Sequence, residues 1–194
     1  MSSTTKDVRA LEMRIRELEA RNSELERLIR IDPFTGLSNR TGFMDGLEKE
    51  LSRAARDNAP VAVLMLDGNG IKAINDTHGH LAGDAAILHI ADALRACLRS
   101  ADTAARFGGD EFAAVLHRAD KASAQRVAQR ILEYLRTHPL SWGNESLTVT
   151  VGIGGAVGSG ASTAIELLTR ADELLVQEAK PADRVSGCCR IDNA

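Results

Sequence analysis

Apolar residues enter this chain on a strict alternation of spacings. Val8, Leu11, Ile15, Leu18, Asn22, Leu25 and Ile29 repeat three and four apart without a break. This is a heptad, with Val8, Ile15, Asn22 and Ile29 at a and leucine at every d. Such a combination favours a parallel two-stranded coil, and one polar a residue, here Asn22, fixes register and dimer state. Arg14 and Arg21 fall at g, Glu19 and Glu26 at the following e positions, so a parallel partner would pair arginine with glutamate across the seam. A lone amphipathic helix packed on its own domain would carry the same stripe. The preferred reading is a dimerising helix over residues 1–31, marginal alone because it spans little more than three heptads.

The period then changes. Val61 to Leu66 is a continuous apolar run, the pattern of a strand buried on both faces. The order predicted is helix (about 39–56), strand (60–67), turn or short helix (70–76), helix (81–100), hairpin (103–117), helix (120–138), strand (146–157), helix (162–180) and a last strand near Arg184-Val185. Ile87, Leu88, Ala91 and Leu94 read as the core face of their helix. Strands interleaved with helices, plus one central hairpin, predict an α/β (α+β) domain with a mixed sheet flanked by helices. That domain is expected over 32–187, with 188–194 as a flexible tail.

Two places carry candidate chemistry. In Arg106-Phe107-Gly108-Gly109-Asp110-Glu111-Phe112, two glycines between short apolar runs can supply the positive φ of a tight hairpin. Asp110 and Glu111 would then sit at its tip, beside backbone that a bulky ligand can approach closely. Upstream, the buried run ends in Asp67, followed by Gly68-Asn69-Gly70 and Ile71-Lys72. An acid leaving a buried strand, then glycines, then a lysine is a place where a divalent cation and a phosphate can meet. Taken singly, the first motif reads equally as a surface hairpin and Asp67 as a cap or turn residue. If the strands are neighbours, Asp67 and Asp110 converge, and two carboxylates with nucleotide phosphates suit Mg²⁺, or Mn²⁺ in its place.

Together these residues resemble the GGDEF family of diguanylate cyclases. Asp32-Pro33-Phe34-Thr35-Gly36-Leu37-Ser38-Asn39-Arg40 is similar to the family's opening motif, and Asp67 through Asp76 to its central one. His78-Gly79-His80 with Gly83-Asp84 continues the match, as do Leu147 to Gly152 and Ala171-Asp172 with Ala179-Lys180, so the resemblance covers roughly 31–187. It implies a ferredoxin-like β-α-α-β-β-α-β core, as in nucleotide cyclases. It also implies condensation of two GTP to cyclic di-GMP and two pyrophosphates. By resemblance, Asp67 and Asp110 would hold Mg²⁺ with the Gly68 carbonyl, and Asp110 or Glu111 would take the hydroxyl proton. Lys72 would stabilise the pentavalent phosphorus, and Gly108 and Gly109 would border the nucleotide. Asn75 and His80 match nucleotide-contacting positions, and Lys180 and Arg184 phosphate-contacting ones. Asp84 would accept guanine's paired N–H donors, which adenine lacks. Arg99 and Asp102 form an R-x-x-D at the family's product-inhibition position, or else a surface ion pair.

Each half-site would hold one GTP, so two chains must face each other, and the coil would raise their effective concentration. The runner-up is a catalytically inactive receptor that binds GTP or cyclic di-GMP; a third reading is a coiled-coil partner protein. The chain departs from the family at Gly68 and in its last helix, where ADELLVQEAKPADRV carries an extra residue and Pro181 stops the helix after Lys180.

Composition narrows the partners. The net charge of −3 on 194 residues offers no basic footprint for nucleic acid. No apolar stretch approaches a bilayer span, and the N-terminus lacks a signal-peptide core, so a cytoplasmic protein is expected. Cys97, Cys188 and Cys189 make no disulfide framework.

Overall fold

The computed structural model describes residues 12–19, 21, 22, 25, 29–177 and 188–193. Helix α1 covers 12–19, and residues 21, 22, 25, 29 and 30 are helical too. Ile15, Leu18, Leu25 and Ile29 are each at least half exposed in the single chain, while Val8, Leu11 and Glu26 lie outside the described residues. Helix α2 (Arg40–Asp57) starts where the Asn39 side chain accepts from the Gly42 N–H at 3.0 Å and stops where Asn58 turns left-handed.

Strand β1 (Val61–Asn69) is the centre of the molecule. It lies between β3 (Glu111–Leu116) and β6 (Thr150–Gly158), antiparallel to both. The five-stranded sheet has the order β2-β3-β1-β6-β7, with β2 (Thr103–Arg106) and β7 (Cys188–Asn193) at its edges. A strand in that position is covered on both faces, which is why Val61 to Leu66 reads as an uninterrupted apolar run.

Alternate β1 residues serve two cores. Ala62, Leu64 and Leu66 face one cluster with α3 (Ile71–His78), α4 (His80–Cys97) and α5 (Lys121–Thr137), through Ile71, Ile90, Leu94 and Ile131. Val61, Val63 and Met65 face the other with α2 and α6 (Ala164–Gln177), through Phe43, Leu47, Leu167 and Ala171. The mixed sheet flanked by helices is the architecture expected from the sequence.

The glycines of β6 have a packing reason. A Cβ on Gly154 would lie 2.8 Å from the Leu175 Cα, and one on Gly155 would lie 2.7 Å from Leu64 Cδ2. Helix α6 therefore rests its backbone directly on the sheet. It runs from the Gly158 end of β6, beside Leu167, towards the Gly152 end, beside Leu175.

Three expectations change. The strand predicted over 146–157 is two strands, β5 (Glu145–Leu147) and β6, and β5 pairs with an unforeseen β4 (Leu140–Trp142) across Gly143 at φ 58°. Cys188–Asn193, expected to be a flexible tail, is β7, parallel to β6 and seated by buried Ile191. The strand expected near Arg184-Val185 lies outside the described residues. Leu88 is exposed, whereas Ile87, Ala91 and Leu94 are buried as expected.

The close approach of α6 sets a test. Gly154→Ala is expected to lose about 3 kcal/mol or more, because backbone and not a flexible side chain opposes the new methyl. Gly143→Ala meets open space and carries only the left-handed backbone cost, roughly 1 kcal/mol. Urea denaturation of the two variants beside the parent reads the difference.

Candidate functional site

The pairing of β1 with β3 assembles the carboxylates. Asp67 stands directly across from Glu111, and the Gly68 N–H donates to the Asp110 carbonyl at 3.0 Å. Strand alternation puts Asp67 and Glu111 on the α2/α6 side, in line with Met65 and Ala113. Asp110 approaches from the other side: its Cβ lies 3.3 Å from where a Gly68 Cβ would be, beside Ile71 and Ile90. Glu111, then, is the cross-strand neighbour of Asp67, and Asp110 is that of Gly68. Like charges directly opposed in a ladder repel, and an oxygen-seeking cation bound between these carboxylates and the backbone oxygens of the Gly68 turn would offset that repulsion. Among the described residues no group of three His, Cys, Asp or Glu gathers around one metal position. Mg²⁺ commonly takes only one or two protein carboxylates, and this donor set fits it.

Beyond Asn69 the chain turns at Gly70, φ 74°, into α3. Gly70 is the N-cap residue and, having no side chain, caps none of the first-turn N–H groups itself. Such a helix start attracts phosphate. Lys72 is exposed on this turn. The Asn69 side-chain nitrogen is buried and has no hydrogen-bond partner.

Helices α3 and α4 fold back on each other at Gly79, φ 86°. This brings Asn75, near the end of α3, against Gly83 of α4. A Cβ on Gly83 would lie 2.7 Å from Asn75 Cγ, and the Asn75 side-chain oxygen is buried without a partner. His80 and Asp84 are exposed on the first turns of α4. Asp84 is thus inside the helix and not its N-cap.

The hairpin tip is held from behind. The Arg106 guanidinium donates Nε–H to the carbonyls of Gly108 (3.2 Å) and Gly109 (3.1 Å) and Nη2–H to Gly109 (2.8 Å). Its Nη1 stands 3.5 Å from Asp32, and its carbon lies 5.2 Å from the Phe34 ring centroid. Asp32 also accepts from Thr35 N–H (2.7 Å) and Thr35 Oγ1 (2.6 Å). Burial pushes the Asp32 carboxyl up, but the Thr35 hydrogen bonds and the Arg106 charge outweigh it and hold it below the usual carboxylate value. Phe107 packs edge-on to Phe43 at 5.0 Å, under Arg40. Gly108 and Gly109 do not take the positive φ expected of them. Four residues, 107–110, connect β2 to β3, so no two-residue turn is needed. A Cβ on Gly108 would instead crowd Glu111 Oε2 at 2.9 Å, while Gly109 faces open space.

A second pocket lies at the far end of β3. Arg99, Asp102, His117, Arg118, Arg126 and Arg130 are among the residues that line it. Asp102 accepts from the backbone N–H groups of Arg99 (2.9 Å) and His117 (3.0 Å). Arg126 and Arg130 escaped sequence reasoning, since nothing in α5 links them to Arg99 before folding. Lys180 and Arg184 lie outside the described residues. The sequence reading also passed over Asp32 and Arg106 as working residues; their side-chain spacing shows only after β2 meets the opening turn.

Comparison with known proteins bears on this geometry. The family model described as "Diguanylate cyclase, GGDEF domain" matches residues 29–185. Over 153 residues the chain is 37% identical to the diguanylate cyclase DgcP of Pseudomonas aeruginosa, covering 79% of this chain and 23% of that protein. The chain spans 23–43% of the length of the first curated relatives it matches. Among solved structures, the diguanylate cyclase SiaD of Pseudomonas aeruginosa, in complex with its activator SiaC, is similar with a TM-score of 0.79 and 31% identity, over 97% of this chain and 72% of that one. The coiled coil and GGDEF domain of DgcB from Caulobacter crescentus, in complex with c-di-GMP, shares the fold over the whole of both chains, with a TM-score of 0.80 and 24% identity.

The Asp32 turn gives a pH test. A carboxyl held below its unfolded value of about 3.9 adds stability above that pH and loses it as pH falls through the folded value. Asp32→Asn is expected to unfold more easily than the parent at pH 7, by about 1–2 kcal/mol. Urea midpoints measured from pH 7 downwards should converge below about pH 4.

Proposed function

Since the chain belongs to the GGDEF family, as the match across residues 29–185 establishes, we propose that it condenses two GTP molecules to cyclic di-GMP and two pyrophosphates. The observation that carries this reading is the strand end itself. Asp67 and Glu111 oppose each other across β1 and β3, Asp110 stands across from Gly68, and the uncapped start of α3 opens beside them.

In this reading each 3′-hydroxyl attacks the other nucleotide's α-phosphorus. A new P–O bond forms, the bond to the β-phosphate breaks, and pyrophosphate leaves. Asp110 or Glu111 accepts the hydroxyl proton. Lys72 and the first-turn N–H groups of α3 draw the phosphates to the strand end and offset the developing charge. Asp67, Asp110 and the Gly68 carbonyl are the proposed ligands of Mg²⁺, with Mn²⁺ as a substitute, and Glu111 is near enough to share the charge. Bound there, the ion would supply charge neutralisation across the phosphates.

Guanine is read on the α3–α4 hairpin. Asp84 accepts the adjacent N1–H and N2–H₂ donors, and Asn75 and His80 border the nucleotide. Support for the Asn75 role comes from its buried, unpartnered oxygen and from Gly83, which leaves that oxygen room. Lys180 and Arg184 are proposed phosphate contacts on family grounds alone. Two half-sites must meet, and the exposed stripe of Ile15, Leu18, Leu25 and Ile29 supports a parallel coil with a second copy. Product inhibition at Arg99 and Asp102 is supported by the four arginines around that pocket. A cytoplasmic setting accords with GTP as substrate; among the described residues no helix is long and apolar enough to cross a membrane.

A receptor without turnover shares most of these residues, so the experiments separate the two. Nucleotide-stripped protein given GTP and Mg²⁺ is expected to yield cyclic di-GMP and pyrophosphate on chromatography, and Asp110→Ala to lower the rate roughly 10²–10⁴-fold. Binding of cyclic di-GMP with no product from the parent would make it a receptor. Gly83→Ala is expected to raise KM for GTP several-fold by displacing Asn75, and to lower the melting temperature because the new methyl enters a buried contact. Arg99→Ala should let product accumulate past the level at which the parent stalls.

A further inference from the structure

The segment before the domain and the Gly-Gly tip are joined by one side chain. Asn39 donates its backbone N–H to the Arg30 carbonyl at 2.8 Å and its side-chain N–H to the Ile29 carbonyl at 2.7 Å. Arg30 in turn pairs with Asp45 of α2 at 2.6 Å. Ser38 then runs alongside β2, accepting from the Arg106 N–H at 2.8 Å and donating to the Ala104 carbonyl at 3.1 Å. The turn between Ile31 and Ser38 is closed by Asp32 on Thr35, and Arg95 of α4 donates to the Thr35 carbonyl. Residues 29–39 are thereby fixed to α2, β2 and α4 together.

The tip has less support of its own. Phe107 is seated on Phe43, and its N–H reaches the Glu111 carbonyl at 2.8 Å; the Gly108 N–H reaches the same carbonyl only at 3.4 Å. Gly108 and Gly109 then border an open groove of about 290 Å³ shared with Asp32 and Arg40. Arg106 spans that groove. One face of its guanidinium lies by Phe34, one nitrogen points to Asp32, and two nitrogens hold the Gly108 and Gly109 carbonyls.

From this we infer that Arg106 is the positioning residue of the site: gripped by Asp32 and Phe34, it sets where the Gly108 and Gly109 carbonyls stand and so where Asp110 and Glu111 present their carboxylates. The inference rests on the cyclase reading. Arg106 itself reaches none of Asp67, Asp110 or Lys72 in its contacts, and acts through the backbone it holds. A planar fork with several N–H groups is what the job needs, because three acceptors lie in different directions around one side chain. Lysine keeps the charge and loses the fork. The same arrangement makes the tip answer to the turn at 32–39, and through Asn39 to the helical residues 29 and 30 before it.

The test compares Arg106→Lys and Asp32→Asn with the parent and with Arg136→Ala, a surface control whose partner is Glu133 on the same helix. Readouts are kcat and KM for GTP, affinity for 3′-deoxy-GTP, which lacks the attacking hydroxyl, and hydrogen exchange at the 107–111 amides. Arg106→Lys is expected to lower kcat about tenfold to a hundredfold, the scale of a small misplacement. KM and 3′-deoxy-GTP affinity should stay within about twofold, because ground-state binding is untouched. Exchange at Phe107 and Gly108 should accelerate, with Asp32→Asn intermediate and Arg136→Ala like the parent. A kcat for Arg106→Lys near the parent's overturns the inference, and so does a raised KM at unchanged kcat, which would make Arg106 a substrate contact. If Arg106→Lys melts without a cooperative transition, Asp32→Asn carries the test, since it loosens the grip and leaves the guanidinium in place. A parent with no turnover removes the cyclase reading, and the positioning role then stands or falls on amide exchange.

Discussion

The antiparallel register of β1 against β3 is the constraint on which everything else depends. Side chains alternate along a strand, so a slip of one residue would send Leu64 and Leu66 from one core to the other and would turn Asp67 away from Glu111. The register is guarded on both sides by hydrophobic burial, because neither face of β1 is wet until the last residues. The acidic end is therefore placed by the apolar middle. Ala62, Leu64 and Leu66 on one side and Val61, Val63 and Met65 on the other determine which carboxylates meet.

That dependence explains which features could be read before the structure. The buried strand, the hairpin and the five main helices were legible because each has a strong period or a continuous apolar run. Helix starts fell within a few residues of expectation, and the structure caps two of them with the Asn39 and Asp120 side chains. The β4–β5 pair was not legible. Its strands are three residues each and bury little, so Trp142-Gly143-Asn144 reads as loop. Strand β7 escaped for a related reason: the segment is short and mixed in polarity, with Ile191 buried and Cys189 partly buried against the core, and no apolar run marks it.

The candidate site divides in the same way. Residue types and their spacing single out Asp67, Lys72, Asp110 and Glu111 before the fold is known, and the family resemblance adds Asn75 and Asp84. Which of them face each other is a property of register, and Glu111 opposite Asp67 could not be read from spacing. Gly108 and Gly109 were understood for the wrong physical reason, since open space and the nearby Glu111 carboxylate, not left-handed backbone, are what a side chain would disturb there. Arg106 looked like the flank of a motif. Only the bridge from Ser38 to Ala105 brings Asp32 beneath it.

The same Ser38 bridge has a consequence for how this domain behaves among other chains. A sheet edge presents unpaired amide and carbonyl groups to any passing strand, and it is the usual point at which β proteins stick together. Strand β2 is such an edge, and it is only four residues long. Ser38 takes up the Ala104 carbonyl and the Arg106 amide from outside, closing the middle of that edge with a single residue of turn. The opposite edge, β7, shows charge instead: Arg190 is exposed, and Asp192 is tied to Arg170 and Lys121. Both borders of the sheet are thus blunted, one by a plug of backbone and one by ions, and sheet-to-sheet growth is discouraged at each.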